Sequence, residues 1–234
     1  MKINNILEFI YPNRCPLCDC LLEHGIKVCD ACRMQILYVR EPCCFRCGKE
    51  VFDEETEYCK DCMDREWNYI KGFPAINYID PLPHSLARFK YKNCRQYASF
   101  YADEILRSKG RQILAVSPDV FVPVPVHRKR KRKRGYNQAE LLARALGKRL
   151  HIPVDTEILC RNINTMPQKE LGQKLRTINL SKAFQPGKKI VEYNKVMLVD
   201  DIYTTGATID TCAAVLKRCG CKEIYYTSVC IGKL

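Results

Sequence analysis

The chain has 234 residues, 47% of them hydrophobic, which suffices for one ordinary α/β domain and a small appendage, and no apolar run is long enough to span a membrane. Lys and Arg outnumber Asp and Glu by 39 to 26, a net charge of +13 that points toward anionic ligands or partners. Sixteen cysteines would suit a secreted disulfide scaffold, but ten of them fall within the first 62 residues and eight of those form Cys-x2-Cys pairs, which is a metal pattern instead.

Met1 to Tyr11 carries Ile3, Ile6, Leu7 and Ile10 at amphipathic spacing with a single lysine. It lacks the long apolar stretch and small-residue cleavage site of a signal peptide, so a cytoplasmic location is expected. The pairs Cys15/Cys18, Cys29/Cys32, Cys44/Cys47 and Cys59/Cys62 follow, separated by short polar segments with little room for a hydrophobic core. Each Cys-x2-Cys turn presents two thiolates, and two turns complete a tetrahedral Zn²⁺ site, so two structural zinc ions are expected. Sequential pairing closes the shortest loops, and an interleaved cross-brace is the alternative. Gly48 fits the tight knuckle after Cys47, whereas Asp19 follows Cys18. Cys20 and Cys43 adjoin ligands and could replace them in register; Cys94, Cys160, Cys212, Cys219, Cys221 and Cys230 read as small hydrophobes. A thioredoxin-like couple is set aside for want of a strand-helix pattern. Charge divides the chain at the same place: residues 1–65 hold a net of −3 and residues 66–234 a net of +16. The expected domains are 1–66, a double zinc ribbon, and 67–234, an α/β domain.

Leu86 to Tyr91 has helical periodicity, which favours a solvated helix face for Lys90 and Lys92 over a role as ligands. Asp119 to Val126 reads as a short buried strand ending in a proline-stiffened turn. Seven consecutive cations, Arg128 to Arg134, come next and cannot be buried; the sequence places them in a strand-to-helix loop. Asn137 has the character of an N-cap for a helix with Ala139, Leu141, Leu142, Ala145, Leu146 and Leu150 on its apolar side. From Arg161 to Phe184 no period is sustained, and the many long polar side chains suggest a flap.

The most informative stretch is Val196-Met-Leu-Val-Asp200-Asp201-Ile-Tyr-Thr204-Thr205-Gly206-Ala207-Thr208. Four apolar residues describe a strand buried on both faces, and Ile209, Ala213, Val215 and Leu216 give the following segment a helical period. A strand-loop-helix turn with three hydroxyls, a glycine and helix N–H groups is an anion site sized for one phosphate. Asp200 and Asp201 would repel that anion if they faced it, so they turn to neutral hydroxyls or to hydrated Mg²⁺. The alternative is a simple helix cap.

This stretch resembles the signature of the type I phosphoribosyltransferases. Together with Arg134-Gly-Tyr-Asn-Gln, the Thr-x2-Gln-x2-Leu-x4-Arg-x2-Asn spacing from Thr165 to Asn179, Phe89-Lys90-Tyr91-Lys92 and the cysteine-rich front, the chain resembles the ComF family of bacterial competence proteins over nearly its whole length. The resemblance implies an α/β fold of the type I phosphoribosyltransferase kind, a mainly parallel sheet flanked by helices, behind a small zinc-ribbon domain. It implies that Asp200 and Asp201 hold the ribose hydroxyls of phosphoribosyl pyrophosphate (PRPP), and that Thr204, Thr205, Gly206, Ala207 and Thr208 hold its 5′-phosphate. Mg²⁺ would accompany the pyrophosphate, with Arg128, Arg130, Arg132, Arg134 and Lys90 as candidate contacts to pyrophosphate or DNA. It further implies handling of single-stranded DNA during uptake, with a ComFA-type helicase as candidate partner. Members are often labelled amidophosphoribosyltransferases; this chain has no cysteine near residue 1 and no room for a glutaminase domain. Two classes therefore stand: a DNA-handling factor that binds PRPP, and an active transferase displacing pyrophosphate at the anomeric carbon, for which no acceptor and no catalytic base can be named.

Overall fold

The computed structural model describes residues 13–162, 183–187 and 193–232; the Met1 to Tyr11 segment and most of the polar segment after Arg161 lie outside them. The elements are α1 (Asp30–Met34), α2 (Lys60–Met63), β1 (Lys71–Asn77), α3 (Leu82–Tyr91), α4 (Tyr97–Val116), β2 (Val120–Pro123), α5 (Arg128–Arg134), α6 (Gln138–Leu150), β3 (Leu159–Arg161), β4 (Phe184–Pro186), β5 (Lys195–Tyr203), α7 (Ala207–Arg218) and β6 (Glu223–Ile231). Among the described residues, β1, β6, β5 and β2 form a parallel sheet in that order. The α/β class with a mainly parallel sheet is therefore as expected, and β2 and β5 are paired in parallel, so the loops that follow them open on the same edge. No helix among the described residues is long and apolar enough to cross a membrane.

Strand alternation sorts the core into two layers. Val196, Leu198, Val120 and Val122 face a cluster that includes Ile209, Ala213 and Leu216 of α7 and Phe184 of the antiparallel β3–β4 hairpin. Met197, Val199 and Phe121 face the other cluster, built on Phe89 of α3, Tyr101 and Ile105 of α4, and Leu142 and Leu146 of α6. Asn137 caps α6 as expected, its side-chain oxygen accepting from the Ala139 N–H at 3.2 Å while its amide donates to the Val124 carbonyl at 3.0 Å. Tyr136 is buried against Phe89 and donates its hydroxyl to the Phe89 carbonyl, stapling α6 to α3.

The cysteines pair sequentially: Cys15, Cys18, Cys29 and Cys32 converge in one group and Cys44, Cys47, Cys59 and Cys62 in another, with each group's sulfur atoms within 4.8 Å of one another. The separations Cys18 Sγ to Cys29 Sγ, 3.7 Å, and Cys47 Sγ to Cys59 Sγ, 3.6 Å, match the edge of about 3.8 Å that a tetrahedron with Zn–S arms of about 2.3 Å requires. Cys20 and Cys43 belong to neither group. The two knuckles share one backbone geometry: the Gly48 N–H donates to the Cys44 carbonyl and the Asp19 N–H to the Cys15 carbonyl, both at 2.9 Å, with Gly48 at φ +70° and Asp19 at φ +67°. Aspartate tolerates that left-handed conformation. Glycine is obligatory at 48, where a Cβ would lie 2.7 Å from the Gly72 carbonyl oxygen and from the Pro74 ring.

The expectation that metal replaces a core in residues 1–66 needs amending. The first cysteine group shares the α3/α4 layer and the second shares the α7 layer, so the ribbon straddles the β1 edge of the sheet. Its backbone completes that edge, with the Val39 N–H donating to the Ala75 carbonyl at 3.0 Å and the Asn77 N–H to the Leu37 carbonyl at 2.9 Å. Arg33 of α1 reaches the buried Glu104 of α4 at 2.7 Å, and Arg88 of α3 donates to the Pro16 and Leu17 carbonyls at 2.9 and 2.7 Å. Short stretches between cysteines hide these contacts in the sequence because the partners lie far along the chain.

Elemental analysis of the purified full-length protein should return two zinc ions per chain. Chelation should lower the melting temperature of the whole molecule, since binding of about 10 kcal/mol per structural site is released into folding and both core layers lean on the ribbon. A ratio of one, or a melting curve indifferent to chelation, would contradict the assignment.

Candidate functional site

The carboxyl ends of β2 and β5 open into a cavity of about 470 Å³ lined by Lys90, Tyr91, Val124 to Val126, Arg130, Lys133, Arg134, Asn137 to Ala139, Arg161, Asp200, Asp201 and Thr208. Its place, beyond the carboxyl ends of parallel strands, is where open α/β sheets hold ligands. Period-two alternation sends the adjacent acids to opposite layers. Asp201, buried, meets the α3 side, where Lys90 Nζ lies 2.6 Å from its Oδ2. Asp200 faces the other layer, toward Arg161 and the buried Cys212 of α7, and its Oδ1 accepts from the Asp201 N–H at 2.8 Å.

These placements set the electrostatics. Burial, and after it the Asp201 charge, push the Asp200 carboxyl up to about 8. Burial works against the Lys90 charge, yet the Asp201 and Asp200 carboxylates outweigh it and hold the lysine above its ordinary value. Arg161 is drawn down by burial and then by Arg130 nearby, while its guanidinium stacks 5.0 Å from the Phe184 ring centroid. Five cations thus surround two acids, one of which is largely protonated at neutral pH, and the cavity suits a polyanion carrying hydroxyls.

The seven-cation run is a helix, α5, where a loop was expected. Arginine and lysine are good helix formers, the His127 ring accepts from the Lys129 N–H at 3.2 Å at the N-terminus, and Gly135 at φ +79° closes the C-terminus with its N–H on the Lys131 carbonyl at 2.7 Å. The last-turn cations also suit the carbonyl end of the helix. Helical spacing then divides the run: Arg130, Lys133 and Arg134 line the cavity, whereas Arg128, Lys129 and Arg132 are exposed outside it. Lys131 is paired with Glu140 at 3.0 Å. Of the other expected contacts, Thr208 lines the cavity, Thr204 and Thr205 are exposed at its loop, and Gly206 and Ala207 are buried at the start of α7. Gly206, at φ +75°, serves close packing: a Cβ there would lie 2.2 Å from the Tyr203 hydroxyl and 2.6 Å from the Trp67 ring. Lys92 is exposed and does not line the cavity. Arg161 lines the cavity with no motif to mark it in the sequence, standing at the head of the long polar segment. The residues from 163 to 182, including Thr165, Gln168, Leu171, Arg176 and Asn179, lie outside the described residues.

A network of rings ties the loop to the second cysteine group. Tyr226 of β6 donates its hydroxyl to the Cys47 carbonyl at 2.7 Å and stacks on Tyr203 with centroids 4.8 Å apart and planes 6° apart. The Tyr203 and Tyr69 hydroxyls are 2.8 Å apart. Asp210 of α7 accepts from the Asn68 N–H at 2.7 Å and pairs with Arg65 at 3.0 Å.

Residues 6–63 match the family model of a double zinc ribbon domain, which the two four-cysteine groups fit as zinc sites. Competence protein F of Haemophilus influenzae is 33% identical over 207 residues, covering 84% of this chain and 87% of that protein. The chain belongs to the ComF family. Further relatives are the DNA utilization protein YhgH of Escherichia coli, 28% identical with 94% of this chain and 97% of that one covered, and Competence protein ComFC of Bacillus subtilis, 28% identical with 86% and 82% covered. Among solved structures, a purine phosphoribosyltransferase from Pyrococcus horikoshii is similar at a TM-score of 0.36 and 16% identity, over 57% of this chain and 84% of that one.

For this ComF-family cavity the Asp200 carboxyl makes a pH prediction. Its folded pKa of about 8 lies above the unfolded value of about 4, so the folded state holds the extra proton between the two and stability falls as pH rises through that window. Urea denaturation of the zinc-loaded protein should show a loss of roughly 1 kcal/mol per unit between about pH 6 and 8. Asp200→Asn should flatten that slope; a variant with the wild-type slope would move the titration elsewhere.

Proposed function

We propose that this ComF-family protein acts in DNA uptake or utilization, holding PRPP in the β2/β5 cavity and engaging single-stranded DNA along α5. The names of its relatives support the setting, and the observation that supports the ligand is the opposed pair of acids facing five cations at the carboxyl end of β5. In this reading Asp201 and Asp200 meet ribose hydroxyls, the Thr204–Thr208 loop meets the 5′-phosphate, and Lys90, Arg130, Lys133, Arg134 and Arg161 face the pyrophosphate. Mg²⁺ would arrive chelated by the pyrophosphate, because Asp201 already has Lys90 as partner and Asp200 is mostly neutral. The exposed Arg128, Lys129 and Arg132 are left for a longer polyanion. A transferase reading would use the same cavity, with Asp200 and Asp201 fixing the ribose while the pyrophosphate departs toward the cations.

Calorimetry tests the ligand. Asp201→Asn removes a charge-assisted acceptor worth about 1.5–3 kcal/mol, so PRPP affinity should fall by roughly tenfold or more. Equal affinities for wild type and variant would refute the placement.

Salt titration tests the helix. Replacing Arg128, Lys129 and Arg132 by Ser should reduce the slope of log K against log salt for a single-stranded oligonucleotide by about 2 units, at roughly 0.7 per phosphate, with PRPP affinity nearly unchanged. An unaltered slope would make those cations a solvated face.

A further inference from the structure

We infer that Tyr91 is a nucleobase-stacking platform at the mouth of the cavity, so that the site receives a nucleotide unit with its phosphate inside and its base on the tyrosine ring; this rests on the reading of the cavity as a sugar-phosphate site. Tyr91 ends α3, directly after Lys90, whose ammonium is committed to Asp201. It is 65% exposed, unlike Phe89 and Tyr136 of the same neighbourhood, which are buried. The ring nonetheless has a defined position. Arg134 lies with its guanidinium carbon 4.8 Å from the ring centroid and donates to the phenol oxygen at 3.2 Å, and the same arginine is held by Gln138 at 3.0 Å. An exposed aromatic side chain fixed in this way has little conformational entropy to lose when a flat partner lands on it.

The surroundings indicate which flat partner. Cavity-lining cations demand phosphate, the two acids offer oxygens to sugar hydroxyls, and Tyr91 lines the same cavity. A molecule that offers phosphate, sugar hydroxyl and a π-face together is a nucleotide, free or at the end of a single strand. Stacking on an aromatic side chain is tolerant of sequence because every base presents a π-face. The exposed cations of α5 lie on the helix that carries Arg134, so a strand following them passes the mouth of the cavity.

Fluorescence anisotropy of the zinc-loaded full-length protein with a short oligonucleotide, and with a matching abasic oligonucleotide, tests the platform. Tyr91→Ala should weaken binding of the normal strand by roughly tenfold and leave the abasic strand unchanged, while Tyr91→Phe should stay near wild type. A terminal 2-aminopurine should change its emission on binding wild type and Tyr91→Phe but not Tyr91→Ala. Equal weakening of normal and abasic strands by Tyr91→Ala would reduce the ring to a support for Arg134 and overturn the inference. If wild type binds neither strand, the DNA reading fails, and adenosine 5′-monophosphate against ribose 5-phosphate decides the platform. The nucleotide should bind more tightly to wild type and lose that advantage in Tyr91→Ala; equal affinities in wild type would sink it.

Discussion

Four thiolates held within 4.8 Å of one another repel strongly unless a cation lies among them, and this protein contains that arrangement twice, once on each side of the same sheet edge. The metal requirement is therefore not confined to a detachable appendage. The first group grips α1, α3 and α4 through Arg33–Glu104 and through Arg88 on the Pro16 and Leu17 carbonyls. The second holds β6 and the end of β5 through the Cys47 carbonyl, Tyr226 and Tyr203. Each layer that frames the cavity is braced by its own zinc site, and the acid pair at the strand end inherits its position from both.

Much of this was readable in the sequence because it follows from local rules. Val196 to Val199 announce a strand covered on both faces, Asn137 announces a helix start, and Cys-x2-Cys spacing announces ligand turns; none of these depends on distant partners. The cationic run gives no sign of a helix because seven like charges carry no hydrophobic period; its helical form rests on the caps His127 and Gly135 and on contacts to Tyr91, Gln138 and Glu140. Gly206 stands in a loop whose composition points to an anion, yet its close approach is to protein. Its actual neighbours, Trp67 and Tyr203, are a residue far upstream and one just before it, and only folding brings the former near. The bond from Tyr226 to Cys47 spans 179 residues of sequence and leaves no pattern in either segment.

Site residues divide in the same manner. Asp200 and Asp201 were legible because adjacent acids after a buried strand are costly and call for a reason. The assignment of one acid to each layer follows from alternation once the strand is known to continue to Tyr203. Lys90 reads from the sequence as a solvated position, since a lysine late in an amphipathic helix usually is one; its commitment to Asp201 depends on how α3 lies against the end of β5. Arg161 reaches the cavity from a three-residue strand, too short for any periodicity to orient it.

The Lys90–Asp201 contact means that the cavity is not waiting with loose charges. A bare phosphate that drew Lys90 away would leave a buried carboxylate unpaired, and a neutral sugar that drew Asp201 away would strand an ammonium; either orphan costs on the order of 1–3 kcal/mol or more. Only a molecule that offers an anion to one partner and a hydroxyl to the other satisfies both in a single event. Under the proposed reading the ion pair would act as a coincidence detector: inorganic phosphate or a free sugar would each meet half of its condition, and a sugar phosphate the whole.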